Sequence, residues 1–431
     1  MNKKIPVIQA KIGNWTYYTG VLSFEDISKF VSPINDELHK SKSLSDAIQR
    51  SITDNYIAIK EYVLNQNERF FNSIVLAVYD GNPNWIEVEL EIEGEEFFNL
   101  GFLSFTGEEK IFPVDGQHRV EGIRTALLEN PELKNEKISV IFIGHKKTQE
   151  GMEKSRRLFN TLNRYAKPVS MSDIIALDED DSSAISTRYL LEESDKVELF
   201  KGKRVIFAKQ KAIPDTNKEA FTSLITIYQC NNAILRYYFL NIYKETDKYQ
   251  EYKNKFYKNK RKFNEKDFMK YRPDEETLQS FKNFNEEYWI KFVEKFDVIQ
   301  DYISSNTALT YRNRNNGGNI LFRPIGIKPF VEATLKFKKY SNIEDFSEVF
   351  DAFNKINFNL KEKPWSNVIW FPQNGKMATS VSNIFVKNMF LYLVEPKILT
   401  AKETTSLKKT YASSISYNGN VEDITLEELL K

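Results

Sequence analysis

The chain has 431 residues, 41% hydrophobic and 28% charged, with a formal net charge of +1. That length exceeds what one core usually serves, so two or three soluble, globular domains are expected. The near-neutral charge excludes a global pull toward nucleic acid or membrane and leaves only a local patch for either. A single cysteine, Cys230, excludes an intrachain disulfide. The opening "MNKKIPVIQAKIGNW" has a basic start but no sustained apolar run after it. Together these point to a reducing cytoplasm. No window approaches roughly 18 uninterrupted apolar residues, so no membrane span is expected.

Residues 5–31 read as one or two strands with turns at Gly13 and Gly20, and "FEDISKF" starts a helix. Residues 43–66 carry Leu44, Ile48, Ile52, Tyr56, Ile59 and Val63 at helical spacing, with Ser43 or Ser45 as the cap. "SIVLAVYDG" reads as a buried strand closed by Asp80 and Gly81. "WIEVELEIEG" alternates strictly, as one half-exposed strand should, with an acid-rich outer face in solvent.

An apolar strand then stops at Asp115, and Gly116, Gln117, His118 and Arg119 follow before a helix over Glu121–Leu128. Another apolar strand, "ISVIFIG", covers 138–144, and "TQEGMEKSRRLFNTLNRYA" reads as a helix. Ser172 or Asp173 is placed to cap the next one. The alternation of strands and helices predicts an α/β (α+β) domain over residues 1–215.

From 216 to 310 the pattern is helical and aromatic. Within it, residues 244–272 hold nine Lys and two Arg against five acidic residues. Basic and aromatic residues interleaved in this way suit a nucleic-acid backbone, with Lys258, Lys260, Arg261 and Lys262 as contacts. A charged hairpin with inward-facing aromatics is the other reading. "RNRNNGGNILFRPIG", 312–326, reads as a flexible loop whose Arg312, Arg314 and Arg323 either contact DNA or are merely solvated. A helical region over 311–400 contains "PWSNVIW", with Trp365 and Trp370 as core anchors, and residues 401–431 read as a loosely held polar tail.

The corner at 115–119 carries the most chemistry. A strand end, a glycine and a helix start place unpartnered amides and a positive helix end at one spot, which suits a phosphate. Gly116 lets a ligand approach the backbone, Arg119 offers a planar fork, and His118 a donor or titratable group. Asp115 can orient either one or hold a metal ion. The alternative is a plain turn in which Arg119 pairs with a neighbour such as Glu121. His145 is a second histidine for the same pocket rim or a packing residue, and His39 is assigned no role. No zinc spacing, Walker loop or nucleophile elbow occurs, and neither haem nor flavin is expected.

The string "VDGQHR" followed by "EGIRTAL" resembles the signature of the DGQHR-domain family. Its members include DndB-type DNA sulfur modification proteins and DpdB-type proteins of DNA deazaguanine modification. The resemblance extends over residues 1–215, and more loosely to "FRPIG" and "PWSNVIW". It implies a ParB/sulfiredoxin-like N-terminal domain with a mainly α-helical C-terminal half. In sulfiredoxins the corner reads Phe-Gly-Gly-Cys-His-Arg. Gln117 stands at that cysteine's place, which excludes sulfiredoxin chemistry.

In ParB-type CTPases a Glu-Asn-x-x-Arg element supplies metal ligands. "NTLNR" stands there, with Asn160 and Thr161 replacing the Glu-Asn pair and Arg164 matching. The nucleotide set implied by the resemblance is Gly116, Gln117, His118, Arg119, Asn160, Asn163 and Arg164. Asp115, His118 and Arg119 would be catalytic if ATP or CTP is hydrolysed with Mg²⁺. No metal ligand set is assigned.

The function implied is a DndB-like protein of a bacterial DNA phosphorothioate modification system, binding and regulating DNA. Its partners would be DNA, other modification proteins and a second copy of the chain, with no membrane. Two other readings stay open: an NTP-hydrolysing subunit of a DNA modification or phage-defence system, and a non-catalytic interaction module.

Overall fold

The computed structural model describes residues 3–32, 55–66, 68–79, 83–107, 109–146, 170–207, 211–214, 217–258, 268–270, 272–313, 315, 317–378 and 381–431, with single positions between 148 and 162. The chain divides into two compact units, Met1–Pro168 with Phe256–Lys262, and Val169–Lys255 with Phe263–Lys431.

The first unit is built on a mixed seven-stranded sheet. β1 (Lys3–Ile12) and β2 (Trp15–Ser23) form a hairpin that turns through Gly13, whose φ of +54° suits a residue without Cβ. α1 (Phe24–Phe30) follows and is closed by a capping box between Ser23 and Asp26. The helix expected over 43–66 is described as α2 (Asn55–Asn65), and its expected caps lie outside the described residues, as does His39. β3 (Ile74–Tyr79) and β4 (Asn84–Glu87) come next, then β5 (Leu90–Ile92) and β6 (Glu95–Phe97), β7 (Leu100–Phe105) and β8 (Lys110–Asp115). α3 (Gln117–Glu129) and β9 (Lys137–His145) complete the unit's long elements.

The strand order is β4-β7-β1-β2-β9-β3-β8, antiparallel throughout except for the β3/β9 pair. The alternating stretch expected to be one strand is instead broken: β4 joins the large sheet, while β5 and β6 form a separate two-stranded ribbon. Glu93 and Gly94, both at positive φ, turn that ribbon. The alternation signals half-exposed strand but cannot mark where a strand leaves its sheet.

Period-two burial assigns each sheet face. Ile138, Val140 and Phe142 of β9 point to the larger core with Leu76, Val78, Leu103 and Phe105. Phe24 and Ile27 of α1, Val63 of α2, and Val120, Ile123 and Ala126 of α3 cover that face. The opposite face packs Ala77, Phe112, Val114 and Ile143 with Trp15 and Tyr17. β8 is an edge strand containing Pro113, with an irregularity opposite Val75/Leu76 that leaves Val114 as an extra residue. Its outer side is partly covered, since Ser32 N donates to Ile111 O at 2.7 Å and Arg124 holds Val31 O at 2.7 Å.

The second unit is helical. α4 (Met171–Leu177) is capped by Ser170, with Asp173 closing the box from the third helical position. The cap therefore lies two residues before the expected Ser172. α5 (Ser182–Arg188), α6 (Leu224–Asn241), α7 (Asp247–Lys258), whose last three residues are counted with the first unit, α8 (Glu275–Lys295) and α9 (Asp297–Ser305) follow. Then come α10 (Pro324–Ser341), α11 (Phe346–Phe353), α12 (Asn383–Val394), α13 (Ala401–Ser414) and α14 (Leu426–Leu430).

The core of this unit is strongly aromatic: Phe330 alone contacts the rings of Phe292, Phe296, Phe353 and Phe390. Trp365 and Trp370 are buried within it, as expected. The tail beyond 401 is not loose. α13 buries Leu407 and Tyr411, four residues apart, and α14 buries Leu426 and Leu429, so a polar composition conceals a narrow apolar stripe. No helix among the described residues is long and apolar enough to cross a membrane.

Glu286 on α8 ties this unit together. Its carboxylate accepts from Ser194 Oγ at 2.6 Å, Tyr189 OH at 3.1 Å and Lys196 Nζ at 3.1 Å. Burial pushes the carboxyl up, but the hydrogen bonds from Ser194, Lys196 and Tyr189 outweigh it and hold the group below the ordinary glutamate value of 4.5. A depressed folded pKa means that the stabilisation is complete above the unfolded value and is lost as pH falls through the folded one. Glu286→Gln should therefore lower the unfolding free energy at neutral pH by about 2 kcal/mol in urea titrations. The gap to wild type should narrow as the pH falls below about 4. An unchanged gap at low pH would remove the carboxylate from this role.

Candidate functional site

The corner forms where β8 ends and α3 begins. Gly116 is the N-cap of α3, at φ +92° and ψ 23°, a left-handed conformation that disfavours other residues. A Cβ there would meet the Arg119 guanidinium at 3.1 Å, so the arginine lies against the glycine. Arg119 Nη2 donates to Asp115 Oδ2 at 2.6 Å, and Nη1 to Asn72 O at 2.6 Å and Ser73 O at 3.2 Å. The arginine therefore pairs with Asp115 rather than with Glu121, whose carboxylate accepts from Arg124 at 2.5 Å. One side chain joins the end of β8, the start of α3 and the residues that enter β3. Asn72 and Ser73 take part through their carbonyls, which no side-chain motif reveals.

The start of α3 carries no side-chain cap and no acidic residue in its first turn. α1, α4, α6, α8 and α12 all have a Ser or Asp side chain on their first amides. At the corner, the Gln117, His118 and Arg119 amides precede the first intrahelical bond, Val120 N to Gly116 O at 2.9 Å. His118 is half-buried, and its enclosed Nδ1 finds no hydrogen-bond partner among the described residues. Gln117 sits half-buried beside it. What the turn can do chemically is receive an anion on main-chain amides at the positive end of a 13-residue helix.

His145 is not at this rim. β8 runs antiparallel to β3, and β3 runs parallel to β9, so Asp115 lies beside Val75 while His145 lies beside Tyr79 at the other end of the sheet. There His145 is buried edge-on against Phe112 and lines a separate cavity of about 420 Å³ with Lys146 and Lys154. Local sequence proximity to a strand end could not reveal that the two strands point in opposite directions.

Asn160, Asn163 and Arg164 lie outside the described residues, as do Lys260, Arg261, Lys262 and Arg314. Lys258 closes α7, whose Tyr249 packs inward against Phe239 and Tyr243. Arg312 and Arg323 are half-buried rather than carried on an open loop. Arg312 Nη2 bonds Asn217 O at 3.0 Å and Ala220 O at 2.8 Å, and Arg323 Nη2 bonds Gly317 O at 3.0 Å. Among the described residues no three His, Cys, Asp or Glu side chains converge as a metal site.

A family model described as DNA-sulfur modification-associated, DndB, matches residues 5–394. Neither a curated protein nor a solved structure matches the chain.

The clamp makes two expectations. Gly116→Ala should destabilise the first unit by about 1–2 kcal/mol, because it strains the left-handed turn and crowds Arg119. Arg119→Lys should do the same by a similar amount, since an ammonium cannot span Asp115 and two carbonyls as a planar fork does. Thermal unfolding of both variants checks this, and a melting temperature unchanged in both would exclude the clamp.

Proposed function

Because the chain belongs to the DndB family of DNA-sulfur modification-associated proteins, we propose that it is a DNA-binding regulator whose corner at Asp115–Arg119 takes a nucleotide phosphate. It works in DNA sulfur modification alongside other modification proteins. The observation that supports the nucleotide site is the start of α3, which carries no side-chain cap among the described residues, with His118 Nδ1 at the same turn finding no hydrogen-bond partner among them. In this reading the Gln117, His118 and Arg119 amides bind phosphate oxygens. The His118 ring adds a hydrogen bond or a proton. Arg119 is a positioning residue: it fixes Asp115 and the entry to β3, and so the direction of the amides.

ATP or CTP is the nucleotide in this proposal. Asp115 is the carboxylate at the corner, and its Oδ2 is engaged by Arg119. The reading therefore assigns nucleotide binding to the described residues and no step through Mg²⁺. Asn160, Asn163 and Arg164 would complete the nucleotide set. DNA would meet one of two separate patches through its phosphates, the basic segment at Lys258, Lys260, Arg261 and Lys262 or the stretch at Arg314.

Calorimetry with ATP, CTP and GTP, paired with a hydrolysis assay with Mg²⁺ and with or without duplex DNA, tests the proposal. His118→Ala should weaken nucleotide binding about tenfold, or about 1.4 kcal/mol, with the melting temperature unchanged. A lower melting temperature with affinity unaltered would return the corner to a structural turn. DNA affinity without nucleotide should fall steeply and linearly with salt on a double-logarithmic plot. Turnover abolished in Arg119→Ala would instead favour the NTP-hydrolysing subunit.

A further inference from the structure

The ribbon formed by β5 and β6 is set apart by its charge. Between Asn84 and Asn99 lie Glu87, Glu89, Glu91, Glu93, Glu95 and Glu96, with no lysine or arginine. All six are exposed, and among the described residues none of their carboxylates meets a cation. Their neighbours are not those of an ordinary solvated surface. Ile92 is 52% exposed and Phe98 59%, and Val88 and Phe97 are exposed as well. Charge alone would keep such a ribbon in solution, whereas large apolar side chains grouped in water mark a contact surface.

The ribbon has a firm base and two open edges. Val88 N donates to Leu100 O at 2.9 Å on the way in, and Asn99 O accepts from Gln9 N at 2.7 Å on the way out. Both ends are thus tied to the seven-stranded sheet, at the edge opposite β8. β5 and β6 pair with each other and, among the described residues, with no further strand. Each therefore leaves one edge of main-chain donors and acceptors unpaired. The register sorts the two faces: Leu90 stands opposite Phe97 and Ile92 opposite Glu95, while Glu91 stands opposite Glu96. Facing residues share a side, so one side is mainly apolar and the other sets two carboxylates across from each other. Like charges in that position destabilise a strand pair, and a cation beside them relieves the repulsion.

We propose that this ribbon docks a protein partner by taking on an extended segment in which basic and apolar residues alternate. The segment adds as a third strand to an open edge, and its main chain supplies the missing hydrogen bonds. Its cations meet the side of Glu91 and Glu96, and its apolar residues extend the side of Leu90, Ile92 and Phe97. The period of two along a strand makes order matter as well as composition. DNA is an unsuitable occupant, since the six carboxylates repel its phosphates. The surface is separate from the corner at Asp115–Arg119 and does not depend on nucleotide binding there.

Binding of labelled peptides to the full chain, followed by fluorescence anisotropy and located by hydrogen exchange, tests the proposal. A peptide alternating Lys with Val should bind, and exchange should slow over residues 88–98 of the chain. A peptide of the same composition with its lysines in one block should bind about tenfold more weakly. Glu91→Gln with Glu96→Gln, and separately Ile92→Thr with Phe97→Thr, change exposed positions only and should leave the melting temperature unaltered. Each pair should weaken the alternating peptide about tenfold. Equal binding of the blocked peptide would overturn the proposal, because charge alone would then suffice. So would slowing confined to other parts of the chain, or full affinity in either folded pair. Self-association of the wild-type chain that these variants abolish, seen by sedimentation, would make a second copy the occupant and overturn it too.

Discussion

The first unit turns on the contact between Arg119 and Gly116. The guanidinium lies against the glycine, grips Asp115 and reaches the carbonyls of Asn72 and Ser73. Each participant limits the others. A side chain at 116 would push the fork away, a shorter cation at 119 could not reach both carbonyls, and a neutral residue at 115 would lose the charge-assisted bond. The entry to β3, the exit of β8 and the axis of α3 are thereby fixed relative to one another. The packing of Val120, Ile123 and Ala126 onto the sheet follows from that axis. On the other flank, Gly122 lets α2 come close, since a Cβ there would meet Ile59 at 2.6 Å.

The same contact separates two roles that a motif of charged residues tends to merge. Arg119 spends its donors on the protein, so what the corner would offer an anion is main-chain amides and the helix field rather than a mobile cation.

Much of this was legible in the sequence. The continuous apolar run of β9 and the strand–glycine–helix corner were readable because they rest on local composition and backbone chemistry. So was the helical second half, with Trp365 and Trp370 in its core. What escaped depends on contacts across the chain. The partner of Arg119 was ambiguous because Asp115 and Glu121 are both near it in sequence, and only the left-handed turn selects Asp115. Of the two readings of His145, pocket rim or packing residue, the packing one holds, and only strand direction, a tertiary property, decides between them. The Ser170 cap was missed in favour of Ser172, since "SMSD" offers two serines ahead of the same helix. Beyond residue 401, two apolar positions per turn pair were enough to dock α13 despite its polar surroundings.

The edge formed by β8 has a further meaning. Pro113 removes one main-chain donor, the bulge at Val114 interrupts the ladder, and Val31 and Ser32 lie along the outer side. A strand from a neighbouring molecule would find an irregular, partly occupied template there. Any assembly of several copies would therefore not be built by running one continuous sheet past this edge.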